Sequence, residues 1–418
     1  MKTKLLLLCF LVASATILQA QEITVNTSMG ASYANEVYYK ISTDTETSFA
    51  ANSWDIAFLR ESNVNQAIRV NGNIGIEVFE ASSTPSDWNA IDIANEGSWT
   101  KLYNSDTAWN NGAFMKGSDN TPPFGFGWGS YNPVTHHITG SIIFVLKYAD
   151  GTYRKLIIED YFGAYTFKYS TWTGSEWTAD QTATVSNTSN PNNKYNYYSF
   201  TTNSEVVAEP AVSDWDFVFT RYFTEVAPNV QYPVTGVLHS SEVTVAQNEE
   251  PGGMPANPAL TFSSDINTIG YDWKSFTGTS FAVNSDTAFY VKYADDTVYR
   301  IHFTAFSGSS SGDITFKQEN VTSLLSVSEV GDNVSFGIYP NPSLDKKINL
   351  LYDVAKLSGA TNQVLIYTTS GQKVFETTLS NNSGFYNKEI DLSSLDAGLY
   401  VLQFNAGDYS VTKKIVLR

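Results

Sequence analysis

The chain holds four histidines, His136, His137, His239 and His302, and theirs is the most specific chemistry in the sequence. Neutral imidazole is the commonest protein ligand for haem iron and for many other metals, so a pair converging on one open pocket could hold either. His136 and His137 are adjacent in the stretch Tyr131 to Gly140, and neighbouring side chains of extended chain point to opposite sides, which disfavours a chelate by both. His239 follows Gly236-Val237-Leu238, and His302 alternates with Ile301 and Phe303 as on a strand. The second chemical feature is aromatic. Trp88, Trp99, Trp109 and Trp128, with the run Gly125-Phe126-Gly127-Trp128-Gly129, could offer rings that stack on sugars or on haem faces. His136, His137, His239, Trp109 and Trp128 are therefore the candidate ligand-binding residues. Trp54 and Trp215 each precede an aspartate in a strand whose alternate residues are apolar, and they read as indoles filling a core between two sheets. Asp55 and Asp216 read as residues that terminate or hydrogen-bond a strand, since one carboxylate per unit makes no acid/base pair.

Nothing else in the sequence argues for catalysis. There is no Gly-x-Ser-x-Gly, no His-Glu-x-x-His and no Walker loop, and the alternating glycines are not placed between a strand and a helix as phosphate binding requires. No calcium loop is present either. The sole cysteine, Cys9, lies in an N-terminal apolar run, Leu5 to Ile17, that follows Lys2 and Lys4 and precedes Ala20, the pattern of a cleaved export leader. A mature chain without a thiol has no disulfide, no cysteine nucleophile and no thiolate metal site. Lys and Arg number 25 against 42 Asp and Glu, a net charge of −17, and so acidic a surface repels nucleic acid. No later apolar run approaches the roughly 20 residues that span a bilayer as a helix. The reading is of an exported binding protein rather than an enzyme.

The elements that must position these residues are strands. Short runs rich in Val, Ile, Thr, Tyr and Phe recur between Gly, Asn, Asp, Ser and Pro clusters, without a sustained helical period, so the fold class is all-β. Ile142 to Ile158 reads as a hairpin turning at Asp150-Gly151 through a type I′ turn. Ala288 to Phe303 repeats it without a gap, and the same register sets Trp128 on Trp273 and Tyr131 on Phe276. Further upstream, Trp54-Asp55-Ile56-Ala57-Phe58 matches Trp215-Asp216-Phe217-Val218-Phe219, and the Tyr38-Tyr39 strand matches Tyr197-Tyr198. Two tandem copies follow, 21–180 and 181–325, with Ser186 to Asn193 as the link between them.

Beyond a linker at 326–335 the texture changes, to Gly337-Ile338-Tyr339-Pro340-Asn341-Pro342, Val364-Leu365-Ile366-Tyr367, Asp396-Ala397-Gly398-Leu399-Tyr400 and a final Lys413-Lys414-Ile415-Val416-Leu417. Residues 336–418 read as a small β-sandwich, and those runs resemble the C-terminal sorting domain of type IX (Por) secretion cargo in Bacteroidota. The resemblance implies that residues 1–20 carry the chain to the periplasm, that the tail engages the type IX machinery, and that the product is secreted or held at the cell surface. The two copies, through their Trp-Asp strands and their Lys147-Tyr148-Ala149-Asp150-Gly151 and Lys292-Tyr293-Ala294-Asp295-Asp296 hairpins, resemble HmuY-type domains. That resemblance implies a surface protein that captures haem or another small ligand. Its haemophore ligates iron through two histidines, which cannot both be placed on histidines of either copy. The aromatic insertion keeps open a second expectation, an adhesin or glycan-binding protein that holds no haem.

Overall fold

The computed structural model describes residues 22–60, 66–255, 258–325, 334–354, 362–380, 382, 384–406 and 409–418. The expected leader with Cys9 and most of the expected linker lie outside them. The chain divides into two compact units, one ending at Asn320 and one beginning at Val321.

The first unit opens with β1 (Ile23–Ser28), β2 (Asn35–Lys40) and β3 (Thr45–Ala50). There follow β4 (Ile56–Leu59), β5 (Ile68–Val70), β6 (Glu77–Ser82), β7 (Thr100–Leu102), β8 (Gly129–Tyr131), β9 (Ile138–Gly140), β10 (Ile143–Lys147), β11 (Tyr153–Tyr161) and β12 (Ala164–Thr171). A second trio comes next, β13 (Gln181–Ser186), β14 (Tyr195–Ser199) and β15 (Ser204–Val206). The unit ends with β16 (Phe217–Ala227), β17 (Val230–His239), β18 (Val243–Glu249), β19 (Lys274–Phe276), β20 (Phe281–Val283), β21 (Thr287–Tyr293), β22 (Val298–Phe306) and β23 (Asp313–Asn320).

These strands build two sandwiches. In the first, the sheet β15-β14-β4-β5 covers the sheet β13-β12-β11-β10-β6-β7, around a core that includes Phe58, Trp128, Phe144, Tyr165 and Phe167. In the second, β3-β2-β16-β17 covers β1-β23-β22-β21-β18 around Tyr39, Phe217, Trp273, Phe289 and Phe316. The hairpins anticipated from the sequence are present, with one difference at the turns. Only Gly151 and Asp296 take positive φ, 85° and 67°, so each loop is a three-residue type I turn closed by a left-handed residue, and not a two-residue I′ turn.

The boundary expected at 180/181 falls inside a sandwich. Strand β13 pairs with β12 and β14 with β4, so the N-terminal trio of the second sequence copy completes the first sandwich. Reciprocally, β1 pairs with β23 and β2 with β16, so the N-terminal trio of the first copy completes the second. The register is the same in both: Tyr38 lies opposite Val218 and Tyr197 opposite Ala57, positions that correspond in the two copies. Ser186 to Asn193 therefore joins strands of the first sandwich, and the chain passes between sandwiches at 51–55 and 207–216. The exchanged segment is well buried: Met29, Val37, Tyr39 and Ile41 are at most 2% exposed. At about 1.5–3 kcal/mol for each such side chain it stabilises the second sandwich by on the order of 10 kcal/mol, comparable with the whole stability of a domain.

The second unit is the expected small sandwich, of β24 (Val334–Tyr339), β25 (Lys347–Val354), β26 (Asn362–Thr368), β27 (Lys373–Thr378), β28 (Gly384–Asp391), β29 (Gly398–Ala406) and β30 (Tyr409–Leu417). Its sheets β24-β25-β28 and β27-β26-β29-β30 enclose a separate core with Phe336, Leu350, Ile366, Leu402 and Phe404.

Candidate functional site

In β2, β4, β14 and β16 both faces are buried. One set of alternate side chains enters a sandwich core, and the other, Tyr38, Ala57, Tyr197 and Val218, meets the opposite sandwich together with Trp54 and Trp215, which lie just before β4 and β16. Trp54 and Trp215 thus lie on the seam between sandwiches, not in the sheet-to-sheet cores expected for them. Each packs edge-on against a tyrosine of an exchanged strand: Trp215 on Tyr38 at 5.2 Å and Trp54 on Tyr197 at 5.0 Å. The neighbouring aspartates anchor those strands. Asp216 accepts from the Ile41 N–H and the Lys40 ammonium, each at 2.8 Å, and from Tyr293; Asp55 accepts from the Phe200 N–H at 2.7 Å.

Two buried carboxyl groups sit along the seam. Glu36 accepts from the Trp54 indole at 3.0 Å and from the Thr220 hydroxyl at 2.7 Å, and burial raises its pKa. Glu209 accepts from the Tyr195 N–H at 2.6 Å and from the Tyr197 hydroxyl at 2.9 Å, and burial pushes its pKa up to about 7.

A cleft opens along one side of this seam. Glu36, Trp54, Arg69, Asn73, Lys101, Tyr103, Trp109, Tyr222 and Phe223 are among its walls. It spans ≈ 790 Å³ with its open mouth. The loop after β7 carries Trp109 into it. Arg69 holds that loop by donating to the carbonyls of Ser105 at 2.8 Å, Ala108 at 3.0 Å and Trp109 at 3.3 Å, and its guanidinium lies 5.1 Å over the Trp109 ring. The Trp109 indole N–H donates across the seam to the His239 carbonyl at 2.8 Å, and the Ile266 N–H donates to the Thr107 carbonyl at 3.1 Å. At the mouth, Lys101 pairs with Glu77 and lies 5.4 and 5.8 Å from the rings of Tyr103 and Phe223. Tyr222 is 7% exposed, and its hydroxyl has no partner among the described residues.

Of the candidate residues, only Trp109 reaches the cleft. Trp128 is fully buried, 6.2 Å from Tyr165, with its N–H donated to the Gln66 carbonyl, and a ring without an exposed face cannot stack on a ligand. The glycines around it serve close packing: a Cβ on Gly127 would lie 2.3 Å from the Met115 carbonyl oxygen, and one on Gly129 2.4 Å from that of Thr139. His239 is also buried, its two ring nitrogens 2.8 Å from the carbonyl oxygens of Ser240 and Asp265, which leaves neither for iron. Burial depresses its pKa against the pull of those carbonyls. His136 and His137 stand at the end of the first sandwich, and the chain sends them to different partners. His136 Nδ1 lies 2.6 Å from the Tyr131 hydroxyl, and His137 Nδ1 2.7 Å from Asp160 while its ring stacks on Phe162 at 4.6 Å. His302 faces Arg300 and Glu22, and burial lowers its pKa. None of the four histidines lines the cleft, and no cluster of three or more His, Cys, Asp or Glu able to hold a metal is present among the described residues.

Sequence reasoning passed over Arg69, Tyr103, Tyr222 and Phe223. The visible signal was slight: Tyr222 follows Val218 and Thr220 on the face of the strand opposite Phe217 and Phe219, and nothing in the sequence points to Arg69 or Tyr103.

Comparison with known proteins assigns two stretches. No curated protein matches the chain. Residues 32–173 match the family described as HmuY protein, a family of binding proteins. Residues 337–418 match the secretion system C-terminal sorting domain, which marks the chain for type IX export to the cell surface or the medium. Among the described residues no helix is long and apolar enough to cross a membrane. The chain therefore joins an all-β region, of which residues 32–173 match the HmuY protein family, to a C-terminal stretch that matches the secretion system sorting domain.

Proposed function

We propose that this is a non-catalytic binding protein, exported with residues 1–20 as its leader, whose seam cleft takes the edge of a saccharide. The observation that carries the reading is the set of partly exposed rings on the cleft wall, Trp109, Tyr103 and Phe223, beside Arg69 and Lys101. Tyr103, Phe223 and Trp109 supply rings for the apolar face of a sugar. Both carboxylates on the wall are engaged, Glu36 by Trp54 and Thr220 and Glu77 by Lys101, an arrangement that suits recognition better than proton transfer. Haem is the weaker ligand here. The wall offers no histidine, methionine or cysteine to bind iron.

The test is a saccharide array probed with residues 22–418, beside a haem titration followed at the Soret band. Expected are saturable binding to a subset of sugars, a loss of ten-fold or more in Tyr103→Ala and Phe223→Ala at unchanged melting temperature, and no Soret shift that depends on His136 or His137. Failure to bind any sugar, or Tyr103→Ala and Phe223→Ala variants that bind like their parent, overturns the reading.

A further inference from the structure

The seam cleft is basic on a protein that is acidic. Arg69, Lys101 and Arg221 line its wall against two carboxyl groups, Glu36 and Glu77, whereas the chain as a whole carries a net charge of −17. Two of the three cations stand beside its partly exposed rings. Strand β16 brings Arg221 and Phe223, which share one strand face, to the turn after β5. There the Arg221 guanidinium donates to the Asn73 carbonyl at 3.2 Å, and a Cβ on Gly72 would lie 3.6 Å from the Phe223 ring. From the other side come Tyr103, its ring 5.4 Å from that of Phe223, and Lys101, 5.8 Å from the same ring. The cations differ in how their donors are spent. Arg69 is 7% exposed and gives its guanidinium to three loop carbonyls. Arg221 is half-buried, and among the described residues the Asn73 carbonyl is the one hydrogen-bond acceptor for its five N–H groups. Lys101, with three donors, has Glu77. Glu36 is already committed to Trp54 and Thr220, and burial draws it toward its neutral form.

We propose that the cleft selects an acidic saccharide, whose carboxylate or sulfate group is held by Arg221 and Lys101 while Tyr103 and Phe223 pack on the sugar ring that bears it. The inference rests on the saccharide reading of this cleft and adds the chemical class of the sugar. A guanidinium presents its N–H groups as a planar fork that matches two oxygens of one acid group, and such charge-assisted bonds are about twice as strong as neutral ones. A neutral sugar leaves those donors to water. Half-burial against aromatic walls also screens the pair less than open solvent does, which separates this site from an ordinary surface ion pair. The acidic remainder of the surface adds selectivity. It repels anions everywhere except at the cleft, so an acid group is retained only where Arg221 and Lys101 meet it.

The test is calorimetric titration of residues 22–418 with matched oligosaccharides: a neutral hexose form, the corresponding uronate and the corresponding sulfate ester. At least one acidic form is expected to bind about ten-fold or more tightly than its neutral parent, with an affinity that falls as salt rises from roughly 50 to 500 mM. Preference for the uronate alone assigns a carboxylate, and preference for the ester alone a sulfate. Arg221→Gln is expected to abolish the preference, and Arg221→Lys, which keeps the charge without the fork, to restore part of it. Glu77→Gln, which releases Lys101 from its partner, is expected to strengthen the preference, a gain that misfolding cannot imitate. Sugars bound without preference for either acid overturn the inference and leave the saccharide reading standing. So does a preference that Arg221→Gln and Glu77→Gln both leave unchanged, since the acid group is then held elsewhere. A chain that binds no sugar in any form removes the saccharide reading and this inference together.

Discussion

Side chains of one type are sorted in this protein by where their second hydrogen bond goes. Asp55 and Asp216 are fixed by the backbone N–H of an exchanged strand, whereas Glu36 and Glu209 accept from side chains and backbone deep in the seam. The strand-binding role of the aspartates was readable from the Trp-Asp pair, because an aspartate beside a core-forming strand has few other uses. Glu209 was not readable, since its burial arises only where the segment after β15 folds back onto Tyr195 and Tyr197 at the seam. Its environment makes a prediction. With a folded pKa of about 7 against 4.5 in the unfolded chain, the folded state binds the proton more tightly, so the contribution of this group is fully present below pH 4.5 and is lost as pH rises through 7. Denaturant midpoints at pH 4.5 and pH 8 are expected to show the parent losing up to about 3 kcal/mol more than Glu209→Gln, at about 1.4 kcal/mol per pH unit between the two values. A residual slope remains in the variant, because burial moves Glu36 in the same direction. Parallel profiles of parent and variant would remove Glu209 as the source.

At the scale of elements, hairpins and alternation were legible, and strand partnership was not. A period of two fixes which face of β2 is buried, but β4 and β16 present the same Trp-Asp strand in the same register, so the pattern cannot say which of them β2 joins. Period two also hides a strand with two buried faces, which is why Trp54 and Trp215 read as core residues and not as seam residues. The loop from Tyr103 to Gly112 was legible only as an aromatic insertion. Its conformation is set by Arg69 on β5, whose guanidinium satisfies three loop carbonyls while being 7% exposed. Charged-group hydrogen bonds contribute about 1.5–3 kcal/mol each, so Arg69→Leu is expected to cost on the order of 3 kcal/mol and to release the loop. Limited proteolysis is the measurement: cleavage between 103 and 112 accelerates in Arg69→Leu, with sugar binding weakened alongside. A variant as resistant as the parent would mean that the Trp109–His239 and Thr107–Ile266 bonds hold the loop without Arg69.

For the molecule as a whole, the division of labour follows from where the cores lie. The two sandwiches of the first unit share a seam, and each depends on strands contributed from the sequence of the other copy, so neither is expected to unfold alone. The tail has its own core, built from residues 336–417 alone, and its match is to a sorting domain rather than to a binding family. The cleft and the sorting-domain match thereby lie in separate folding units. Two measurements follow from that separation. In calorimetry, residues 22–418 are expected to give two transitions, and residues 22–320 to retain the first of them unshifted together with saccharide binding, because no core residue of the first unit is removed. In the cell, deletion of 334–418 is expected to leave the chain in the periplasm, since a folded cargo without its sorting sandwich has nothing to present to the type IX machinery. Loss of the first transition on deletion would instead make the tail part of the fold it addresses, and export of the truncated chain would place the sorting signal within residues 22–320.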